Sequence, residues 1–134
     1  MLDFIDNAEV AVTMNILIVD DQAGIRYLLD TLVKEEGHNS YTGANGAEAV
    51  ELVKKHRPEL VFMDIKMPVM DGTQALEKIK ELGFGTEVIM MTAFTEKEVV
   101  DKAYRNGAVK CLIKPFDINE VRDIIRDYST RVAI

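Results

Sequence analysis

The chain has 134 residues, 48% hydrophobic and 29% charged, which fits one globular domain with a real core rather than a disordered or fibrous polymer. Its 23 acidic and 16 basic side chains give a net charge of −7, which argues against direct nucleic-acid binding and is equally a plain solubility charge. A single cysteine, Cys111, allows no internal disulfide, and no apolar run approaches the roughly 20 residues needed to span a bilayer.

Met1 to Thr13 carries Asp3, Asp6 and Glu9 without Lys or Arg, so it does not read as a signal peptide, and a reducing cytoplasm is the expected location. This stretch stands outside the pattern that follows and is expected to be a disordered or non-native tail. Residues 14–130 are expected to form one domain. The first strand is predicted over Asn15–Val19, where Ile16-Leu17-Ile18-Val19 is an uninterrupted apolar run. A helix follows over Gln22–Glu36, with Ile25, Leu28, Leu29, Leu32 and Val33 at helical spacing and Gly37 as its stop. These are more apolar positions than one buried stripe needs, so at least one should be exposed.

The second strand, Asn39–Thr42, leads to Asn45, which with Glu48 signals the start of a helix over Gly46–His56. The third strand is Leu60–Met63, followed by a helix over Thr73–Leu82 and a stop at Gly83. The fourth strand is Val88–Met91, after which Thr95 and Glu98 mark a helix over Glu96–Asn106 that stops at Gly107. The fifth strand, Cys111–Ile113, and a helix over Ile118–Tyr128, started by Asp117 and Glu120, complete the series. His38 and His56 fall in turn and helix-end contexts and are expected at the surface.

Strict strand–helix alternation implies right-handed crossovers and a doubly wound α/β domain, a parallel sheet with helices on both faces. In such sheets ligands bind at the carboxyl ends of the strands. Those ends carry Asp20 and Asp21, then Asp64, Thr92, and Lys114-Pro115. Each alone is commonplace: an Asp pair usually caps a helix, a Thr favours strands, and a Lys before Pro is usually solvated. Together they would place three carboxylates in one pocket, which repel unless a cation sits among them. Hard oxygen ligands with open positions suit Mg²⁺.

The segments Ile16-Leu17-Ile18-Val19-Asp20-Asp21-Gln22, Met63-Asp64-Ile65-Lys66-Met67-Pro68-Val69-Met70-Asp71-Gly72, Met91-Thr92-Ala93 and Lys114-Pro115-Phe116 resemble the receiver domain of bacterial two-component response regulators. The resemblance runs from about Asn15 to Tyr128, with separate motifs in matching order and spacing. It implies a flavodoxin-like five-stranded parallel sheet of order 2-1-3-4-5 with five helices. It further implies that Asp64 is the phosphoacceptor and that Mg²⁺ is held by Asp20, Asp21, Asp64 and the backbone carbonyl of Lys66. Thr92 and Lys114 would contact the phosphoryl group, Ala93 would leave room for the donor imidazole, and the Lys114-Pro115 bond would be cis. The loop Met67 to Gly72 needs a rigid turn and a flexible φ, expected from Pro68 and Gly72. Lys66 and Phe94 occupy positions that tune hydrolysis of the acyl phosphate in this family.

Many receivers that drive an output carry an aromatic switch three residues before the Lys. Here that position is Cys111, expected as a small buried hydrophobe rather than a redox group. The run Asp20 to Arg26, with Lys66 and Lys114 to Ile118, is most similar to the single-domain sporulation phosphorelay response regulators of bacilli. That similarity implies a monomer that takes a phosphoryl group from a sensor histidine kinase and passes it to a histidine phosphotransferase. Gln22, Gly24, Ile25, Leu28, Pro115 and Phe116 would be the partner-binding positions, with simple core packing as the alternative for Ile25 and Leu28. Other readings are a stand-alone receiver that binds a target directly, as in chemotaxis, and a degenerate receiver that serves as a binding module. A haloacid-dehalogenase-type hydrolase would need a second Asp two residues after Asp64, where Lys66 stands. An FMN binder would not place Asp20-Asp21 in its phosphate loop, and P-loop and dinucleotide fingerprints are absent.

Overall fold

The computed structural model describes residues 12–93 and 97–133. Five parallel strands, β1 (Asn15–Val19), β2 (Asn39–Gly43), β3 (Leu60–Asp64), β4 (Glu87–Thr92) and β5 (Lys110–Ile113), form one sheet in the order β2-β1-β3-β4-β5. They alternate with α1 (Ala23–Glu35), α2 (Gly46–His56), α3 (Gly72–Leu82), α4 (Lys97–Arg105) and α5 (Ile118–Ala133). The doubly wound α/β fold and its 2-1-3-4-5 order are therefore as expected. No helix among the described residues is long and apolar enough to cross a membrane.

The apolar runs are continuous because both faces of the sheet are covered, and the period-2 alternation of side chains splits each run between two cores. Leu17, Val19, Val61, Met63, Val88 and Met90 pack with Ala49 and Val53 of α2, Leu76 and Ile79 of α3, and Ala103 of α4. Ile16, Ile18, Leu60, Phe62, Ile89 and Met91 face the other way, against Leu29, Leu32 and Val33 of α1 and Val121 and Ile125 of α5. Every residue of β3 is buried, so the strand that ends in Asp64 is the most deeply held of the five.

Helix ends follow local chemistry. Asn45 accepts from the Glu48 backbone N–H (2.9 Å) while Glu48 accepts from the Ala44 N–H (2.8 Å), the expected start of α2. Asp117 accepts instead from the Asn119 N–H (2.8 Å), and Glu120 reaches back to the Asp117 N–H (3.1 Å). The expected Thr95 cap lies outside the described residues, as does nearly all of the expected tail. The stops Gly37, Gly83 and Gly107 all have positive φ, whereas α2 ends on Arg57 at φ 48°, with no glycine to announce it. α3 begins at Gly72 rather than Thr73, because Asp71 and Gln74 form a reciprocal capping box. α5 continues to Ala133 rather than ending at Tyr128.

The expected surface placement is overturned for His38, whereas His56 stays partly exposed at the end of α2. His38 is buried, and its Nδ1 accepts the Met14 backbone N–H at 3.0 Å. An acceptor Nδ1 requires the neutral ring, and burial correspondingly pushes the imidazole pKa down. His56 is half-buried and stacks on Tyr41 with ring centroids 3.7 Å apart.

Candidate functional site

The carboxyl ends of β1, β3, β4 and β5 bring Asp20, Asp21, Asp64, Thr92 and Lys114 to one edge of the sheet. Asp64 is the last residue of β3 and Thr92 the last of β4, both buried. Lys114 follows β5; its backbone N–H donates to the Thr92 carbonyl at 2.7 Å, and its bond to Pro115 is cis. The Lys114 ammonium lies 2.7 Å from Asp20 Oδ2 and 3.5 Å from Asp64 Oδ2.

Asp20 is held on every side. Its backbone N–H donates to the Gly43 carbonyl (3.2 Å), its Oδ1 accepts from the Gln22 N–H (2.9 Å) and its Oδ2 from Lys114 (2.7 Å). Its carbonyl oxygen accepts from Arg26 Nη1 at 2.6 Å. Asp21, one residue on, is exposed.

Carboxylate oxygens of Asp20, Asp21 and Asp64 all lie within 4.8 Å of one another. Burial, and after it the Asp20 charge, raise the Asp64 pKa, and Lys114 only partly offsets them, so that it stands at about 6. An acid strained this way by two neighbouring carboxylates is stabilised in its charged form by a cation. Three hard oxygens around one point, one of them on an exposed residue that leaves open positions, fit a divalent ion such as Mg²⁺.

The loop from Met67 to Gly72 differs from expectation. Gly72 does not supply the left-handed residue; Val69 does, at φ 68° and almost fully exposed. Gly72 is there because the chain passes too close for a side chain: a Cβ would sit 2.2 Å from the Asp64 carbonyl oxygen. Its N–H donates to the Ile65 carbonyl at 2.6 Å, which clamps the loop beneath the site. Gly46 is similar, since a Cβ there would meet the Met70 carbonyl at 2.4 Å. Sequence reasoning missed this crowding, and it missed the Arg26 contact, although Arg26 stands in the quoted run after Asp20-Asp21.

Lys66 is exposed beside Asp64, Ala93 is exposed beyond Thr92, and Phe94 lies outside the described residues. Cys111 is half-buried against the α2–α3–α4 core rather than fully buried. Its N–H donates to the Tyr104 hydroxyl at 3.1 Å, and burial pushes its thiol pKa up, away from thiolate reactivity. Of the candidate partner positions, Gln22, Gly24, Leu28 and Pro115 are exposed, while Ile25 and Phe116 are half-buried on the α1–α5 core. Leu28 is 46% exposed, so α1 does present an apolar residue to solvent.

The profile of the response regulator receiver domain matches residues 16–126. The chain is 43% identical over 113 residues to sporulation initiation phosphotransferase F of Bacillus subtilis, covering 84% of this chain and 91% of that protein. It is 41% identical over 115 residues to the chemotaxis protein CheY of Halobacterium salinarum, covering 86% and 96%. Among solved structures it resembles the CheX-CheY-BeF3-Mg complex of Borrelia burgdorferi, with TM-score 0.79, 34% identity and coverage of 85% and 87%. A CheY-like receiver of Methanospirillum hungatei superimposes with TM-score 0.84 at 28% identity, covering 90% and 96%. With the doubly wound fold, the acidic cluster and these likenesses in agreement, the chain belongs to the response regulator receiver family.

Proposed function

We propose that this receiver accepts a phosphoryl group on the Asp64 carboxylate and passes it on in a phosphorelay. The observation that carries the reading is the setting of Asp64: a buried strand-end carboxylate with Asp20 and Asp21 oxygens within 4.8 Å and the Lys114 ammonium at 3.5 Å. An Asp64 oxygen attacks the phosphorus of a donor phosphohistidine. The P–N bond breaks, its electron pair returns to the imidazole nitrogen, and an acyl phosphate is left on Asp64.

Asp20, Asp21, Asp64 and the Lys66 backbone carbonyl would hold Mg²⁺, which when bound supplies neutralisation of the phosphoryl oxygens. Asp20 suits a contact through water, because Gln22 and Lys114 already engage both of its carboxylate oxygens. Asp21, exposed, suits a direct one. The Lys114 ammonium can swing from Asp20 and Asp64 onto a phosphoryl oxygen, and the Thr92 hydroxyl at the end of β4 supplies a donor to another.

In this reading residues 14–130 are the receiver unit, acting in the cytoplasm with a sensor histidine kinase as donor and a histidine phosphotransferase as acceptor. Similarity to sporulation initiation phosphotransferase F supports the relay, and the exposed Gln22, Gly24, Leu28 and Pro115 beside the site offer a docking face. Identity to a chemotaxis protein is nearly as high, which supports a second reading in which the phosphorylated receiver binds its target directly.

Intact-mass spectrometry after incubation with acetyl phosphate tests the chemistry. The expected result is one added phosphoryl group that requires both Mg²⁺ and Asp64; no addition to a folded protein would leave only a binding module. Phosphotransfer from the labelled protein to a histidine phosphotransferase separates relay from direct target binding.

A further inference from the structure

Arg26 makes a cationic contact to the Asp20 main chain that the proposed chemistry does not use. It projects from the first turns of α1, and its Nη1 donates to the Asp20 carbonyl at 2.6 Å, six residues back along the chain. That bond is charge-assisted and partly buried, conditions under which a hydrogen bond contributes well above the neutral average. Arg26 is also tied to the corner through its main chain, since its own N–H donates to the Gln22 carbonyl at 3.1 Å. Gln22 in turn donates its N–H to Asp20 Oδ1 at 2.9 Å. The three contacts close a small ring around the turn between β1 and α1.

The ring has a consequence for Asp21. Asp20 is fully buried and pinned by four groups, whereas Asp21 is exposed and depends on the shape of the turn for the direction of its carboxylate. A carbonyl at position 20 that is free to rotate carries the following peptide plane with it, and so the Asp21 side chain.

We propose that Arg26 is a positioning residue: its guanidinium holds the Asp20 carbonyl so that Asp20 and Asp21 stay converged on the cation site with Asp64. The inference rests on the proposed Mg²⁺ site. It differs from an electrostatic role in sign. A guanidinium that acted only through its charge would repel a divalent cation, and its removal would tighten Mg²⁺ binding. A guanidinium that orients ligands supports binding, and loss of such outer supports typically weakens metal affinity by roughly 10- to 100-fold.

The experiment is Mg²⁺ titration of the unphosphorylated full chain by calorimetry, on wild type, Arg26→Met, Arg26→Lys and the neighbouring surface control Tyr27→Ala. Circular dichroism and a urea midpoint for each variant report folding separately. Acetyl phosphate labelling at saturating Mg²⁺ is measured alongside. The expected result is roughly tenfold weaker Mg²⁺ binding in Arg26→Met. Arg26→Lys should recover part of the affinity, since an ammonium can also donate to the carbonyl, and Tyr27→Ala should match wild type. Labelling at saturating Mg²⁺ should return to near the wild-type level. Unchanged or tighter Mg²⁺ binding in a folded Arg26→Met protein would overturn the proposal. So would weaker binding that Arg26→Lys does not recover at all. Absence of Mg²⁺ binding in wild type would instead overturn the site itself.

Discussion

Lys114 and Asp20, 94 positions apart in sequence, form a 2.7 Å ion pair between an ammonium that is 14% exposed and a carboxylate with no exposed surface. This pair ties the end of β5 to the corner after β1 across the mouth of the site. It is also the main local compensation for three crowded carboxylates in the metal-free protein. Removing one partner of a buried pair costs about 3–5 kcal/mol, because the other charge stays buried and uncompensated. Lys114→Met should therefore lower metal-free stability by about that much in urea unfolding. Saturating Mg²⁺ should recover a large part of the loss by restoring positive charge among the same oxygens. A deficit that Mg²⁺ leaves untouched would count against the shared-site reading.

Asp64 gives a pH dependence of definite sign. Its folded pKa lies at about 6 against an ordinary value of 3.8. The favourable contribution of the protonated form is fully present below pH 3.8 and is lost as pH rises through about 6. Above that range the charged carboxylate opposes folding of the metal-free protein by at most about 3 kcal/mol, at 1.36 kcal/mol per unit. Asp64→Asn should accordingly be more stable than wild type at pH 8 in the presence of a chelator, and the gap should close towards pH 4. Urea midpoints across that range measure it, and an unchanged gap would show that Asp64 does not titrate as described.

His38 works in the opposite direction. Burial holds its pKa below the ordinary 6.5, so its contribution is present above pH 6.5 and is lost as pH falls below that value. His38→Phe should be less stable at pH 7.5 by about 1–3 kcal/mol, because the Met14 N–H loses its acceptor. The variant should also lose less stability than wild type between pH 7.5 and 5. Parallel acid limbs for the two proteins would contradict the neutral-ring assignment.

The glycines predict opposite effects. A Cβ at Gly72 would lie 2.2 Å from the Asp64 carbonyl oxygen, whereas a Cβ at Gly24 would meet nothing within 4 Å. Gly72→Ala should cost at least about 3 kcal/mol through forced backbone movement. Gly24→Ala, inside α1, should stabilise by about 0.5–1 kcal/mol. Thermal unfolding of the two variants decides the matter, and equal melting temperatures would refute the close approach at Gly72.

Lys66 follows Asp64 by two positions and is exposed beside it. If its side chain covers the approach of the attacking water, Lys66→Asn should lose the Asp64 phosphoryl group faster than wild type. Decay of the labelled protein by intact mass measures this, and an equal half-life would remove Lys66 from the account.

The element order was legible because buried parallel strands need continuous apolar runs, and β1, β3 and β4 have them. β2, reading Asn39-Ser40-Tyr41-Thr42-Gly43 at the sheet edge, was legible mainly from its place between two helices. That Asp20, Asp21, Asp64, Thr92 and Lys114 share one sheet edge was legible because strand ends in such a sheet converge, whatever the intervening sequence. Other details were not. His38 looked like a turn residue, and only the return of β2 beside Met14 made it a buried acceptor. Gly72 was expected to supply a flexible φ, and only the approach of its backbone to Asp64 made it a spacer. Arg26 carried no assigned role in the sequence, and only the turn after β1 brings the Asp20 carbonyl to its guanidinium. Periodicity and chemistry along the chain thus determined which strands form and which side chains reach one edge, since both follow from local spacing. Distances between segments far apart in sequence decided the close approaches, the Lys114–Asp20 pair and the raised Asp64 pKa, because each depends on how helices and strands pack in three dimensions.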